Sequence, residues 1–405
     1  MENDEHTENC EQPEVLFLDG EEGTSSIHDE VEEHSINDNS LAIIEAHEQD
    51  VFCLSLSKNG RWLASGSQDD TAAIWDMSQK PIRQHFRLAG KHVDSVHCLA
   101  WNCSSDLLAS GDMSGRIVCT LVRDSSEADC EPVTLIIEDC QTCEKQILEE
   151  EKEECFEQIR WLLWHPSANG ILFGGSGDGQ FLDGAKHFLS VYENAVVKIW
   201  NLKNAICTSE INLPGTCTGT MDLYLPGNIA AIGCSNGLTA LVSINLSDQK
   251  LKLIHVFTST NKETFSEINQ DEEEENKSVE CIRFGPSSNL PWLAVGKANG
   301  ILTIFNWEHP AIRYEFLNED ETAVVDCIWK INNLSDANTT NNNISLISIC
   351  VDGTIRIWNA LNGQLIKKME GGGDQVFSAT TFLNTEGVEG LLTGCEGGLI
   401  NIFEN

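Results

Sequence analysis

The chain has 405 residues, 41% of them hydrophobic, which suffices for a sizeable core. Its 64 acidic residues outweigh 25 basic ones, a formal net charge of −39. A field of that sign excludes binding to nucleic acid or an anionic membrane through global charge, and it favours a basic partner.

The acidity is concentrated. Residues 1–40 carry 14 acidic side chains and no basic one, the first basic residue being Lys58. Residues 127–157 carry a net −10 and residues 263–280 a net −7, so these three stretches hold 31 of the 39 net negative charges. Residues 1–40 are therefore expected to be a disordered acidic tail. That segment has no basic n-region and no apolar run, so it does not read as a secretory signal. No stretch of about 18 apolar residues follows it. The 16 cysteines, in a long chain without a signal, are expected to stay reduced. The expectation is a soluble monomer, cytoplasmic and open to the nucleus.

From residue 41 onward, short apolar alternations separated by Gly, Asn and Asp turns predict antiparallel strands. The first group runs through Val51-Phe52-Cys53-Leu54, Trp62-Leu63-Ala64-Ser65-Gly66 and Ala73-Ile74-Trp75-Asp76. The cadence returns at Val96-His97-Cys98 with Leu108-Ala109-Ser110. A third copy spans Ile159-Arg160-Trp161 to Val197-Lys198-Ile199-Trp200. A weaker copy runs from Met221 to Val242. Val279-Glu280-Cys281, Val325-Asp326-Cys327 and Val376-Phe377-Ser378 open three more, giving seven copies. The Val-x-Cys triplets at 51, 96, 279 and 325 put valine and cysteine on one face of a strand, where free cysteine packs as a small hydrophobe.

These repeats resemble the WD40 family, which implies an all-β fold, a β-propeller of seven blades with eight allowed, over residues 41–405. In the first copy His47, Ser65, Asp69 and Trp75 fall at the family's spacings of 18, 4 and 6, and the sixth keeps Ser348, Asp352 and Trp358. The resemblance makes these a structural hydrogen-bonded set that satisfies buried polar groups. The second copy keeps His92 and Ser110, with Ser114 and Thr120 in the last two places. Residues in excess of the repeats are assigned to loop insertions at about 124–155, 181–195, 247–277 and 331–343. Residues 41–45 are expected to supply the outer strand of the last copy and so close the ring.

Several stretches are more specific. Asp50-Val51-Phe52-Cys53, Ser110-Gly111-Asp112-Met113-Ser114-Gly115, Trp161-Leu162-Leu163-Trp164-His165-Pro166, Leu293-Ala294-Val295-Gly296 and Cys350–Trp358 resemble the angio-associated migratory cell protein family over about residues 41–404. That resemblance implies binding and not catalysis. The family's fungal relative is a chaperone that holds the basic N-terminal segment of a large-subunit ribosomal protein, and animal members are linked to cell migration and cytosolic signalling. The family ring has eight blades. A copy missed by the count would lie between residues 202 and 278.

The face bearing the starts of the inner strands is the predicted partner surface. By spacing it includes Asp50, Phe52, His97, Met113, Arg160, Glu280, Asp326, Val351 and Phe377. Acids alternating with Phe and Met suit a basic, partly apolar peptide. No cofactor or metal is expected: Cys130, Cys140, Cys143 and Cys155 match no common zinc spacing. No nucleophile elbow, phosphate loop or His-Glu-x-x-His occurs, so no enzyme is expected.

Overall fold

The computed structural model describes residues 15–17, 38–123, 132–137, 159–258, 277–286, 290–317, 321–332, 343–372, 374–383 and 389–404. Among them there is no α-helix, only strands and two 3-10 turns, and no helix is long and apolar enough to cross a membrane. The strands form eight antiparallel sheets. In chain order their innermost strands are Val51–Leu56, Val96–Trp101, Trp161–Trp164, Asp178–Leu182, Cys217–Tyr224, Val279–Phe284, Val324–Asn332 and Val376–Leu383. Each packs on the next, and the last packs on the first, so the sheets are blades 1 to 8 of a closed ring.

Eight blades, against seven copies counted, correct the reading of residues 159–201. The third copy is two sheets: a two-stranded blade 3, Trp161–Trp164 paired with Leu172–Gly175, and a four-stranded blade 4 from Asp178 to Asn212. Among the described residues of 202–278 there is one whole blade, at 217–257, besides the outer strand Ile206–Asn212 of blade 4. The supposed loop at 181–195 contains the end of Asp178–Leu182 and all of His187–Val191. All five residues of His187–Val191 are buried. A strand covered on both faces shows no period-two alternation.

The other assigned insertions are also part strand. Val133–Ile137 is the outer strand of blade 2, and Lys250–Phe257 that of blade 5. Blade 7 strands reach Asn332 and resume at Asn343. Residues 124–131, 138–158, 259–276 and 333–342 lie outside the described residues, and Cys130, Cys140, Cys143 and Cys155 lie there with them.

Ala42–Glu45 pairs antiparallel with Leu399–Glu404, Ala42 opposite Ile402, so the two ends of the described ring share blade 8. This covers an edge that would otherwise expose its ladder. Val15–Phe17 pairs in turn with Ala42–Ile44, a strand inside the expected tail; residues 1–14 and 18–37 lie outside the described residues.

One packing rule joins blades 1, 2 and 6 to their successors. A cysteine of the inner strand fills the gap to the next blade, and a glycine opposite it leaves the room. A Cβ at Gly66 would stand 2.7 Å from Cys53 Sγ and 2.9 Å from Val96 O; at Gly296 it would stand 2.6 Å from Cys281 Sγ. The thiols reach a carbonyl at or just before the inner strand of the following blade: Cys53 Sγ to Val96 O 3.6 Å, Cys98 Sγ to Ile159 O 3.3 Å, Cys281 Sγ to Val324 O 3.8 Å. Blade 7 departs from the rule. Val324 pairs with Cys350 as Val279 pairs with Lys297, and Asp326 pairs with Ile349 as Cys281 pairs with Gly296. The triplet at Val325 is therefore one residue out of register: Asp326 takes the cysteine place, and Cys327 takes that of Ile282.

Candidate partner-binding face

Backbone hydrogen bonds build this face. In six blades the amide just before the turn between the second and third strands donates to the carbonyl just before the inner strand. The pairs are Gln68 to Asp50 (2.9 Å), Met113 to Ser95 (3.0 Å), Ser235 to Thr216 (2.9 Å), Ala298 to Ser278 (2.9 Å), Val351 to Ala323 (2.9 Å) and Glu396 to Gln375 (2.8 Å). Turn residues and inner-strand starts therefore lie side by side around one mouth of the axial channel.

Most of the residues singled out by spacing lie at this mouth. Asp50 accepts from Gly397 N across the blade 1–8 junction at 3.0 Å. Phe52 and Phe377, from the same two blades, meet edge to face with ring centroids 5.7 Å apart. Met113 and Val351 sit on the turns just described. Arg160 is exposed and pairs with Glu193 at 2.8 Å. Glu280 is exposed and accepts from Ser278 Oγ. Partial burial lowers the pKa of His97. Asp326 is the exception. The register shift makes Val325 the counterpart of Phe52, His97, Glu280 and Phe377, and Asp326 turns into the channel, its Oδ1 2.9 Å from Arg283 Nη2. Glu280, Val325, Phe377 and Thr220 line a cavity of about 210 Å³ there, with Arg283 and Asp326 in its wall.

The electrostatics come from side chains the spacing argument did not name. Burial, and then the charges of Asp94, Asp69 and Asp112, raise the pKa of Asp70 at the blade 1–2 rim. Burial, followed by Glu396 and Asp38, does the same for Asp374 at the blade 7–8 rim. Deeper in the channel, burial pushes Asp178 up to about 7, against the backbone N–H groups of Gly179 and Met221 and the charge of Arg283. Two of the face's cations, Arg160 and Arg283, are already paired with Glu193 and Asp326. The turn and loop acids, which fall outside the strand alternation, show up only once the turns are folded onto the mouth.

A family model described as "WD domain, G-beta repeat" matches residues 38–76 and 84–119. Angio-associated migratory cell protein of Homo sapiens is 26% identical over 372 residues, 82% of this chain and 73% of that protein. Ribosome assembly protein SQT1 of Saccharomyces cerevisiae is 20% identical over 382 residues, 83% of this chain and 78% of that protein. The crystal structure of Saccharomyces cerevisiae Sqt1 matches with a TM-score of 0.71 at 19% identity, covering 91% of this chain and 99% of that one. Chaetomium thermophilum Sqt1 bound to the N-terminus of the ribosomal protein L10 matches at 0.66 and 17% identity, covering 91% and 100%.

The chain is a β-propeller that carries WD40 repeats. Its polar networks follow from the blade geometry. In blade 1 His47 Nε2 lies 2.8 Å from Ser65 Oγ, His47 Nδ1 lies 3.1 Å from Asp69 Oδ2, and Trp75 Nε1 donates to Ser65 Oγ at 2.9 Å. Blade 2 repeats the histidine links, His92 to Ser110 at 2.8 Å and to Asp112 Oδ2 at 3.1 Å. Spacing assigned Ser114 to the acidic place, but the carboxylate comes from Asp112 two residues earlier, which also accepts from Ser114 Oγ at 2.6 Å. Blade 7 of the WD40 ring keeps Trp358 Nε1 to Ser348 Oγ at 3.0 Å, and Asp352 accepts from Thr354 Oγ1 at 2.7 Å. Blade 4 has the same tryptophan–serine bond, Trp200 to Ser190 at 2.9 Å, hidden by the loop assignment.

Proposed function

We propose that this WD40 propeller is a non-catalytic binding protein that holds a basic, extended segment of a client across its acidic mouth. The client we favour is a basic large-subunit ribosomal protein, and the role is that of an assembly chaperone acting in the cytoplasm. The observation that carries this reading is the arrangement at the mouth. Asp70 with Asp94, and Asp374 with Glu396, flank the Phe52–Phe377 pair. Rim carboxylates speed the encounter with a basic chain, and the aromatic pair supplies the apolar anchor. The relative captured with the N-terminus of ribosomal protein L10 is a precedent for a peptide on a similar fold. The alternative is a scaffold in cytosolic signalling or migration. It is favoured by the higher identity, 26% against 20%, to angio-associated migratory cell protein.

Calorimetric titration with a synthetic N-terminal segment of the cell's own L10 separates the two. Phe52→Ala and Phe377→Ala are each expected to weaken binding by roughly 1–2 kcal/mol. Absence of binding by the unaltered protein at about 0.1 M salt contradicts the ribosomal reading.

A further inference from the structure

Two departures from the repeat meet at one point between blades 6 and 7. In blades 1, 2 and 6 the inner strand reads cysteine then an aliphatic residue: Cys53-Leu54, Cys98-Leu99, Cys281-Ile282. Blade 7 reads Asp326-Cys327 at those places, and Ile349 stands where the other blades have a glycine. A carboxylate and an extra thiol thus join the ordinary cysteine of the neighbouring blade. Cys281 Sγ, Cys327 Sγ and a carboxylate oxygen of Asp326 all lie within 4.8 Å of one another. Cys281 is 3% exposed and Cys327 0%, while Cys281 and Asp326 both border the channel cavity of about 210 Å³.

We propose that Cys281, Cys327 and Asp326 form a binding site for a soft divalent cation, Zn²⁺ by its chemistry. Two thiolates and a carboxylate are a tetrahedral donor set for zinc, with a fourth position left for water from the cavity. Thiolate donors disfavour Mg²⁺ and Ca²⁺. Metal–ligand bonds of about 2.0–2.3 Å need donor atoms somewhat under about 4 Å apart, so the trio must close by about an ångström, within reach of side-chain rotation. Charge does not oppose the site. The ion brings two positive charges and two thiol protons leave, so the net charge around Arg283, Asp326 and Asp222 is the same before and after binding. Binding therefore buries no additional net charge. Arg283, 2.9 Å from Asp326 Oδ1, orients the carboxylate from outside the donor set. Two Cys–S–H bonds break and two S–metal bonds form, so two protons leave to solvent per ion bound.

The test uses the full chain, reduced and stripped with a chelator, titrated with Co²⁺ as the spectroscopic probe and then with Zn²⁺. The expected result is about one equivalent of Co²⁺ with thiolate-to-metal charge-transfer absorption and tetrahedral visible bands, displaced by Zn²⁺. Cys327→Ile restores the residue type that blade 6 has at this place, so it keeps the packing, and it is expected to abolish the thiolate absorption. Asp326→Asn is expected to weaken Co²⁺ binding at least about 10-fold. Cys217→Ser, in another buried thiol pair, should change nothing. No thiolate absorption in the unaltered protein, or full absorption in folded Cys327→Ile, overturns the proposal.

Discussion

Asp178 shows what the channel imposes on single side chains. Its pKa in the folded protein is raised from 3.8 to about 7, with burial as the leading cause. The folded state therefore holds a proton that the unfolded state releases, and stability falls as pH rises from about 4 to about 7. Asp178→Asn removes that loss. Thermal unfolding should show a gain in Tm at pH 8 that shrinks toward pH 5; an equal gain at both would refute the burial argument. Single residues were legible from spacing where a network is complete, as in His47, Ser65, Asp69 and Trp75. They were not where a neighbour substitutes. Asp112 serves His92 from two residues before the place that spacing assigns, because the carboxylate needs only to reach the ring, not to occupy a fixed position. Asp70, Asp94, Asp374 and Glu396 were missed because turns and loops carry no alternation to mark them.

Strands and their junctions depend on small residues at fixed places. The cysteine of each regular inner strand, the glycine opposite it and the first residue of the next blade occupy one gap. Gly66→Ala would push a methyl against Cys53 Sγ and the Val96 backbone. Overpacking of this kind costs about 1–3 kcal/mol. Urea denaturation should show the unfolding free energy lowered by that amount, through a lower midpoint with the slope unchanged, and an unchanged midpoint would argue that the blades tolerate spreading. Repeat periodicity made most strands readable, including the closure by Ala42–Glu45. It failed at blades 3 and 4 for two reasons. Blade 3 has only two described strands, so the expected third and fourth were sought in its neighbour. His187–Val191 is buried on both faces and lacks the alternation that marks a strand. The slip at Val324 has a similar origin: two adjacent valines give two equally good registers, and only the pairing with Cys350 decides between them.

The ring as a unit separates two kinds of charge. The N-terminal stretch and residues 127–157 and 263–280 hold most of the −39 and set a long-range field. The mouth is more mixed, with Arg160 and Arg283 each matched by a carboxylate and further acids clustered at two rims. A basic client would thus be drawn by the former and held by the latter. The most direct measurement compares calorimetric affinity for the basic ribosomal segment between the unaltered protein and a variant carrying Asp70→Asn, Asp94→Asn and Glu396→Gln. Both are read at about 0.1 M and about 0.5 M salt. The acidic mouth predicts that the unaltered protein loses about 10-fold or more on raising the salt, and that the variant is weaker at low salt and nearly flat. Equal affinities and equal salt responses for the two proteins would contradict it.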